Sequence, residues 1–453
     1  MVPWPERIGS DMTTIADLQI VRPGDSGYER VRHVYSSTGS PATVFLPRTA
    51  GETAQALGLA RAGGGELSIR SGGHGISSIA TNDGGSVVDL RHLDGIDHLG
   101  GSRVRLGPGA RWGQVARGLS EWGLALTSGD SGDVGVGGLA TTGGIGLLGR
   151  LQGLTIDRLR SAEVVTADGR IVRASADENS DLFWAVRGAG GNVGIVTSFD
   201  FDAGTTPVVA HATFAYEFLD VAASLQAWGR TVESAPREVS AFLYVGAGRR
   251  PFAQATVVYA GDDPAAASTA LEPFARLHRV VGQRAELTSY ANVPLASGSP
   301  HSGQQGASAH SGLVDHLDEA VTQALAALLE TRGAEMVQIR SVGGAINDVG
   351  SHETAYAHRH QNFSVAAVST GAPMAFDTAW EPVRRLMDGM YLSFESLHRP
   401  EAVADAFPPA TLERLRGVKG IWDPDDVFSQ NFDVSQAGAA TGYQAPAGAA
   451  SPG

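Results

Sequence analysis

The placement of glycine constrains this chain more than any other feature. Within Ser128–Gly153, glycine recurs at 129, 132, 135, 137, 138, 143, 144, 146, 149 and 153. Two further clusters, Ser71–Gly75 and Gly188–Gly194, lie in the same half of the chain. Glycine lets backbone amides approach an anion closely and adopt φ angles closed to other residues. Three such loops, each beside strands, predict one diphosphate-bearing ligand wrapped by backbone.

The segments between the loops read as alternating strands and helices. Residues 1–37 read as a polar entry segment. Thr43–Leu46, Leu67–Arg70, Val87–Leu90 and Val104–Leu106 are predicted strands. Thr49-Ala-Gly-Glu52 is a capping box opening a helix to about Ala62, and Trp112–Trp122 is a second helix ended by Gly123. Ala162–Thr166 and Ile171–Ala174 flank an Asp-Gly turn, a hairpin signal. Leu182–Arg187 reads as a short helix and Ile195–Phe201 as a strand.

The middle of the chain changes character. Strands are predicted at His211–Phe218, Val239–Val245, Ala253–Tyr259, Glu335–Val342 and Phe363–Ser369, with helices between them. Leu313, Leu317, Val321, Leu325 and Leu328 fall along one helical face and read as core. Strands in one run with interspersed helices predict an α+β domain with an antiparallel sheet. The Ala/Gly/Pro/Ser-rich tail, 436–453, has the composition of a disordered segment.

The chain's 453 residues suffice for two sizeable domains. Its net charge of −14 repels nucleic acid and anionic membranes. No apolar run approaches the roughly 20 residues needed to span a bilayer. The N-terminus shows no secretory signal, so a cytoplasmic location is expected. Cysteine is absent, which excludes disulfides, thiolate metal sites and cysteine nucleophiles. Lys419 is the single lysine and follows Val418, so no P-loop exists. Arginine in place of lysine, with abundant alanine and glycine, suggests a high-GC bacterial genome.

Two motifs mislead. Gly144-Ile-Gly-Leu-Leu-Gly149, with Asp168 downstream, matches a dinucleotide fingerprint. That fingerprint must follow a buried strand, whereas Gly138-Leu-Ala-Thr-Thr-Gly143 precedes this one. His352, His358 and His360 suggest a metal, with His358 and His360 sharing a strand face. Yet His352-Glu-Thr-Ala-Tyr356 lacks the second histidine of a zinc helix, and no metal is expected.

Arg70-Ser-Gly-Gly-His-Gly75 with Val87-Val-Asp-Leu90, and Val134-Gly-Val-Gly-Gly138 with Gly143-Gly-Ile-Gly146, resemble the two flavin loops of the berberine bridge enzyme-like oxidases. These belong to the vanillyl-alcohol oxidase/p-cresol methylhydroxylase (PCMH) flavoproteins. Gly153–Asp157, Glu163–Gly169, Asp181–Gly188 and Gly190–Val196 follow in family order. Trp422-Asp-Pro-Asp-Asp-Val-Phe428 and Asn431 resemble the closing motif, so the likeness spans about Pro41 to Val434. It implies a two-lobed PCMH-type FAD-binding domain at 38–203 and a substrate domain at 204–400. It further implies a returning segment at 401–435.

The resemblance also assigns residues. FAD is expected to contact Arg70, Ser71, Gly72, Gly73, His74, Gly75 and Ser78 in the first loop. In the second it is expected to contact Ser131, Asp133, Val134, Gly137, Gly138, Thr141, Gly143, Gly144, Gly146 and Gly153. Gly194, Ile195, Val196, Tyr391 and Asn431 complete the set. His74 matches the histidine bonded to the flavin 8α carbon. Ser131 stands where many relatives carry a second, cysteinyl bond, so one tether is expected, as in the branch resembling 6-hydroxynicotine oxidase.

The implied chemistry is hydride transfer from a small molecule (a secondary metabolite, alcohol, sugar or amine) to flavin N5, with molecular oxygen as acceptor. Such chemistry needs a proton acceptor. Tyr391, in Met390-Tyr-Leu-Ser-Phe394, resembles a family tyrosine near the flavin ring. Alternation puts Gln338 and Arg340 on one strand face. The resemblance puts Gln338 where relatives carry an acidic base, and an amide cannot accept the proton, so either the base lies elsewhere or the reaction needs none, as in oxidation of a neutral amine. Arg340 could bind an anionic group or form a buried pair. Two alternatives stay open: a same-fold enzyme of cyclisation or rearrangement, and a non-enzymatic flavin-binding protein. A monomer or homodimer is expected, with no nucleic-acid or membrane partner.

Overall fold

The computed structural model describes residues 18–248, 251–294, 306–331, 333–396, 400–430 and 432–435. Strands among these form three sheets. The first holds β1 (Gln19–Val21), β2 (Thr43–Leu46), β3 (Leu67–Arg70) and β4 (Ser86–Asp89), in the order β1-β2-β4-β3. β2, β4 and β3 run parallel, and β1 joins β2 antiparallel. Val44, Phe45, Val87 and Val88 are buried, as parallel strands covered on both faces require. The helix Ala50–Gly63 crosses from β2 to β3. Thr49 Oγ1 accepts from Glu52 N at 3.1 Å, and Glu52 Oε2 accepts from Arg48 N at 2.8 Å. This is the expected capping box, with its return bond displaced by one residue.

The second sheet holds β5 (Ile96–Gly100), β6 (Arg103–Leu106), β7 (Leu159–Val165), β8 (Ile171–Ser175) and β9 (Ile195–Asp202), in the order β5-β6-β9-β7-β8. All its pairs are antiparallel. The third holds β10 (Val208–Glu217), β11 (Val239–Gly246), β12 (Phe252–Tyr259), β13 (Arg279–Ser289), β14 (Ser308–Val314), β15 (Met336–Ser341) and β16 (Phe363–Ser369). Its order is β13-β10-β12-β11-β15-β16-β14, again antiparallel throughout.

One face of the third sheet packs against helices. Leu225, Trp228, Phe274, Leu325, Phe376 and Trp380 from four helices share a core with Phe214, Leu243, Val337 and Val365 of the strands. The opposite face meets the glycine-rich segment: Phe242, Val258 and Leu313 pack with Ile145, Leu147, Leu148 and Ile156. The helix Pro409–Trp422 returns to the first half of the chain, where Leu415, Val418 and Trp422 join Leu182, Phe183 and Trp184. The fold is α+β, as expected.

Several local expectations are corrected. The entry segment carries β1 and a short helix, Tyr28–Arg32, whose Tyr28 and Val31 are buried. Elements of three and five residues are too short to show periodicity. The second glycine loop contains a helix, Val136–Thr142, despite Gly137 and Gly138. Glycine disfavours helix, but Val136 and Ala140 are fully buried and tertiary packing prevails. The apolar stripe is split: Leu313 lies in β14, and Asp318 Oδ1 accepts from Val321 N at 2.9 Å to start the helix at Glu319. β13 and β14 escaped prediction, since β13 is a mostly exposed edge without alternation and β14 is small and polar. His358 and His360 share no strand. The tail at 436–453 lies outside the described residues.

Candidate functional site

The three glycine loops converge on one cavity, and the third sheet closes it. Its wall includes Ser71, Gly72, Gly73, His74 and Gly75 from the first loop. Val134, Gly135, Gly137, Gly138 and Thr141 come from the second, and Gly190, Gly191, Gly194, Ile195 and Val196 from the third. Arg340, Tyr391, Ser393 and Phe394 add side chains from the other half, and Phe428, Gln430 and Phe432 from the returning segment.

Backbone contact explains the glycines. A Cβ on Gly72 would lie 2.4 Å from Gly135 N, and one on Gly135 would lie 2.3 Å from Gly72 N. The first two loops therefore touch main chain to main chain, and no larger residue fits at either position. Ser71 Oγ bridges them by donating to Pro108 O and accepting from Gly137 N at 3.0 Å. Asn192 ties the third loop to the returning segment, its Nδ2 donating to Phe432 O at 3.1 Å. A ligand here meets a floor of backbone amides with apolar walls (Ile69, Leu90, Phe428), which suits a dinucleotide with a flat ring system.

His74 stacks on Tyr35, with ring centroids 4.2 Å apart and planes 15° from parallel. Burial pushes its pKa below the usual histidine value, so the imidazole is neutral and keeps a nucleophilic nitrogen at pH 7. Tyr391 is buried, and its hydroxyl oxygen accepts from Gly144 N at 3.0 Å. Ser311 Oγ donates to Tyr391 O at 2.7 Å, fixing the segment from β14. Ser393 Oγ lies 2.7 Å from Thr142 Oγ1.

Other expected residues stand behind the wall. Arg70 is 2% exposed, donates from Nε to Ala80 O at 2.8 Å and pairs with Asp89 at 3.2 Å. It braces the loop without lining the cavity. Ser78 bonds Ser36, with Oγ atoms 2.8 Å apart. Ser131 Oγ accepts from Asp133 N, and Asp133 O accepts from Arg111. Gly143 and Gly144 lie beneath Tyr391 and against Thr155, Gly146 packs on Ser128, and Gly153 faces Asp157. None of these residues lines the cavity. Gln338 also stays off the wall, with its Oε1 buried and without a hydrogen-bond partner. Asn431 lies outside the described residues.

Sequence reasoning missed Asp130 and Tyr244. Asp130 lines the cavity and pairs with Arg340, Oδ2 to Nη2 at 3.3 Å, and the Tyr244 hydroxyl donates to the same oxygen. Burial alone would push the Asp130 carboxyl up, but the Arg340 charge and the Tyr244 bond outweigh it and hold it below the usual range. Burial, then the Asp130 charge, drives the Tyr244 hydroxyl far above the ordinary tyrosine value, so it stays protonated. A carboxylate within a glycine run, three residues before Asp133, was the signal available.

Away from the cavity, His358 Nε2 lies 3.0 Å from Ala406 O. His360 Nε2 sits at the surface, 2.5 Å from Asp388 Oδ2 and 3.6 Å from Asp315 Oδ1. No helix among the described residues is long and apolar enough to cross a membrane.

Comparison with known proteins agrees with this geometry. An FAD binding domain family matches residues 41–175. (R)-6-hydroxynicotine oxidase of Paenarthrobacter nicotinovorans is 28% identical over 95% of this chain and 100% of its own. Xylooligosaccharide oxidase of Thermothelomyces thermophilus is 40% identical, over 37% of this chain and 35% of its own. The crystal structure of 6-hydroxy-D-nicotine oxidase from Arthrobacter nicotinovorans superposes with a TM-score of 0.81 at 28% identity, covering 92% of this chain and 98% of that one. With no cysteine in the chain, a cysteinyl flavin bond is excluded. Loops, sheet order and full-length similarity converge: this chain carries an FAD binding domain and is a homologue of 6-hydroxynicotine oxidase, with structural neighbours among the berberine bridge enzyme-like flavoproteins.

Proposed function

We propose that this oxidase removes a hydride from a C–H bond next to an O–H or N–H group of a small molecule, with molecular oxygen as final acceptor. We further propose that its FAD is bonded once, through His74. The carrying observation is the placement of His74: neutral, stacked on Tyr35, and on the wall of the cavity that the glycine loops form. The bound flavin supplies the two-electron acceptor.

The protein's own groups do the rest. The Gly72–Gly135 contact holds two loops against the cofactor. Arg340 and Tyr391 from the far half of the chain share the cavity with them, where a substrate would be held against the ring. The expected boundary between 38–203 and 204–400 is supported by the first two sheets ending at Asp202 and the third starting at Val208, and the return at 401–435 by the helix Pro409–Trp422, whereas a lower limit of 38 leaves out β1, which pairs with β2. The substrate class is an amine, sugar, alcohol or secondary metabolite. The first two are supported by the nicotine-derivative and xylooligosaccharide oxidases among the relatives.

The test is anaerobic incubation of the holoprotein with 6-hydroxynicotine, xylooligosaccharides and a panel of alcohols and amines. Bleaching of the flavin absorbance, with peroxide released on readmitting air, is expected for at least one class. Redox-neutral turnover, or no bleaching across the panel, overturns the oxidase reading.

A further inference from the structure

An alcohol or a protonated amine oxidised in this way must also lose a proton, and the cavity wall holds few groups able to take it. Its titratable residues are His74, Asp130, Arg340 and Tyr391. Arg340 is a permanent cation and accepts nothing. His74 is stacked on Tyr35 at the flavin loop and is assigned to the anchor. The Tyr391 oxygen already accepts the Gly144 amide and would have to ionise before acting as a base. Asp130 is the one carboxylate that lines the cavity among the described residues.

The surroundings of Asp130 are built rather than incidental. Arg340 is 5% exposed, and its guanidinium carbon lies 4.1 Å from the centre of the Phe394 ring and 5.2 Å from that of Phe242. The two rings fix the plane of the cation, which in turn fixes the carboxylate. Arg340 Nη2 and Tyr244 Oη both donate to Asp130 Oδ2. Among the described residues no other side chain donates to Oδ1. The Asp130 side chain is 30% exposed, so one oxygen is anchored and the carboxylate still opens to the space beside it. Pairing the buried Arg340 of β15 with a carboxylate from the glycine-rich segment costs desolvation that an apolar pair of similar size avoids. Its position on the cavity wall gives that cost a use.

We propose that Asp130 is the proton acceptor of the reaction, with Arg340 and Tyr244 as positioning residues. This rests on the oxidase reading. In the step, the substrate X–H bond (X being O or N) breaks and its proton bonds to Asp130 Oδ1. The electron pair left on X forms the C=X bond. The adjacent C–H hydrogen leaves with its electron pair to the oxidised flavin. The proton on Asp130 then passes to solvent. The charged and titratable groups facing Asp130 are Arg340 and Tyr244 in contact, with His74 and Tyr290 further off.

The experiment compares wild-type, Asp130→Asn, Tyr244→Phe and Tyr391→Phe holoproteins by anaerobic stopped flow, with 6-hydroxynicotine, xylooligosaccharides and the alcohol and amine panel as probes. Asp130→Asn should slow flavin bleaching by roughly 10²–10⁴-fold. Flavin content and probe binding, read from the perturbed flavin spectrum, should stay nearly unchanged. Tyr244→Phe removes one hydrogen bond to the carboxylate, so the acid limb of the bleaching rate should move to higher pH with a smaller loss of rate. A second readout is the time-resolved infrared difference spectrum during anaerobic reduction of the wild type, which should show a transient protonated-carboxyl band that Asp130→Asn lacks. Wild-type bleaching rates in Asp130→Asn overturn the proposal. So does a carboxyl band that persists there, or a loss confined to Tyr391→Phe. If Asp130→Asn fails to hold flavin, the Tyr244→Phe limb decides: an unmoved limb overturns the proposal. Failure of every probe to bleach the wild type instead sinks the oxidase reading, and this inference with it.

Discussion

Replacing Asp423 with asparagine tests how the returning segment is held against the flavin cavity. Lys419, the single lysine, is 2% exposed. Its Nζ lies 2.8 Å from Asp423 Oδ2 and donates to Asn192 O at 3.1 Å and Phe428 O at 3.2 Å. Asp423 also accepts from Val427 N at 2.7 Å and Phe428 N at 2.9 Å. One buried ammonium thus joins the third glycine loop to the stretch that places Phe428, Gln430 and Phe432 on the wall. Removing one partner of a buried pair costs about 3–5 kcal/mol. Asp426, 2.8 Å from Nζ and 39% exposed, remains as a second anion, so the lower end applies. At 1.4 kcal/mol per decade, about 3 kcal/mol raises local opening by roughly 100-fold. The lysine is its own reporter. Under native conditions an amine-reactive reagent should modify the Lys419 peptide roughly 100-fold faster in Asp423→Asn than in wild type, as read by mass spectrometry. Equal rates in the two proteins, or a wild-type rate matching unfolded chain, refute the reasoning.

Three further outcomes follow from separate features. Gly72→Ala, whose Cβ would meet Gly135 N at 2.4 Å, should yield protein with little bound flavin by absorbance, whereas Gly58→Ala, with open space around it, should load normally. Arg359→Met breaks a buried pair with Asp157, 2.8 Å from each carboxylate oxygen, and should lose about 3–5 kcal/mol in denaturant titrations. Arg359→Met combined with Asp157→Leu should recover part of that loss. Burial holds His358 below its ordinary value of 6.5, so the unfolded chain binds the proton more readily. The stability it contributes is present above pH 6.5 and lost as pH falls from there towards the folded value, and His358→Gln should flatten that slope in thermal melts.

The flavin loops were legible because glycine at a crowded backbone contact leaves a mark in sequence, as Gly72 and Gly135 show. The helix start at Glu319 was less so, since Leu313 and Leu317 continue an apolar spacing that only the Asp318 cap interrupts. Arg70 illustrates another limit: it sits in the loop motif, yet its charge turns away to Asp89 and Ala80. Asp130 was out of reach for a different reason. Its meaning depends on Arg340 and Tyr244, which come to it from β15 and β11, and only the pairing of Tyr244 with Gln338 across those strands sets the register. Gln338 occupies the expected strand face, but Arg340, two residues on, is the one that reaches the cavity.

The most direct test of the account is the mass of the acid-denatured protein. The wild type should carry its yellow colour into the precipitate and weigh one FAD more than its sequence, and His74→Ala should lose both. Flavin found wholly in the wild-type supernatant, or an FAD-sized mass increase that survives in His74→Ala, contradicts it.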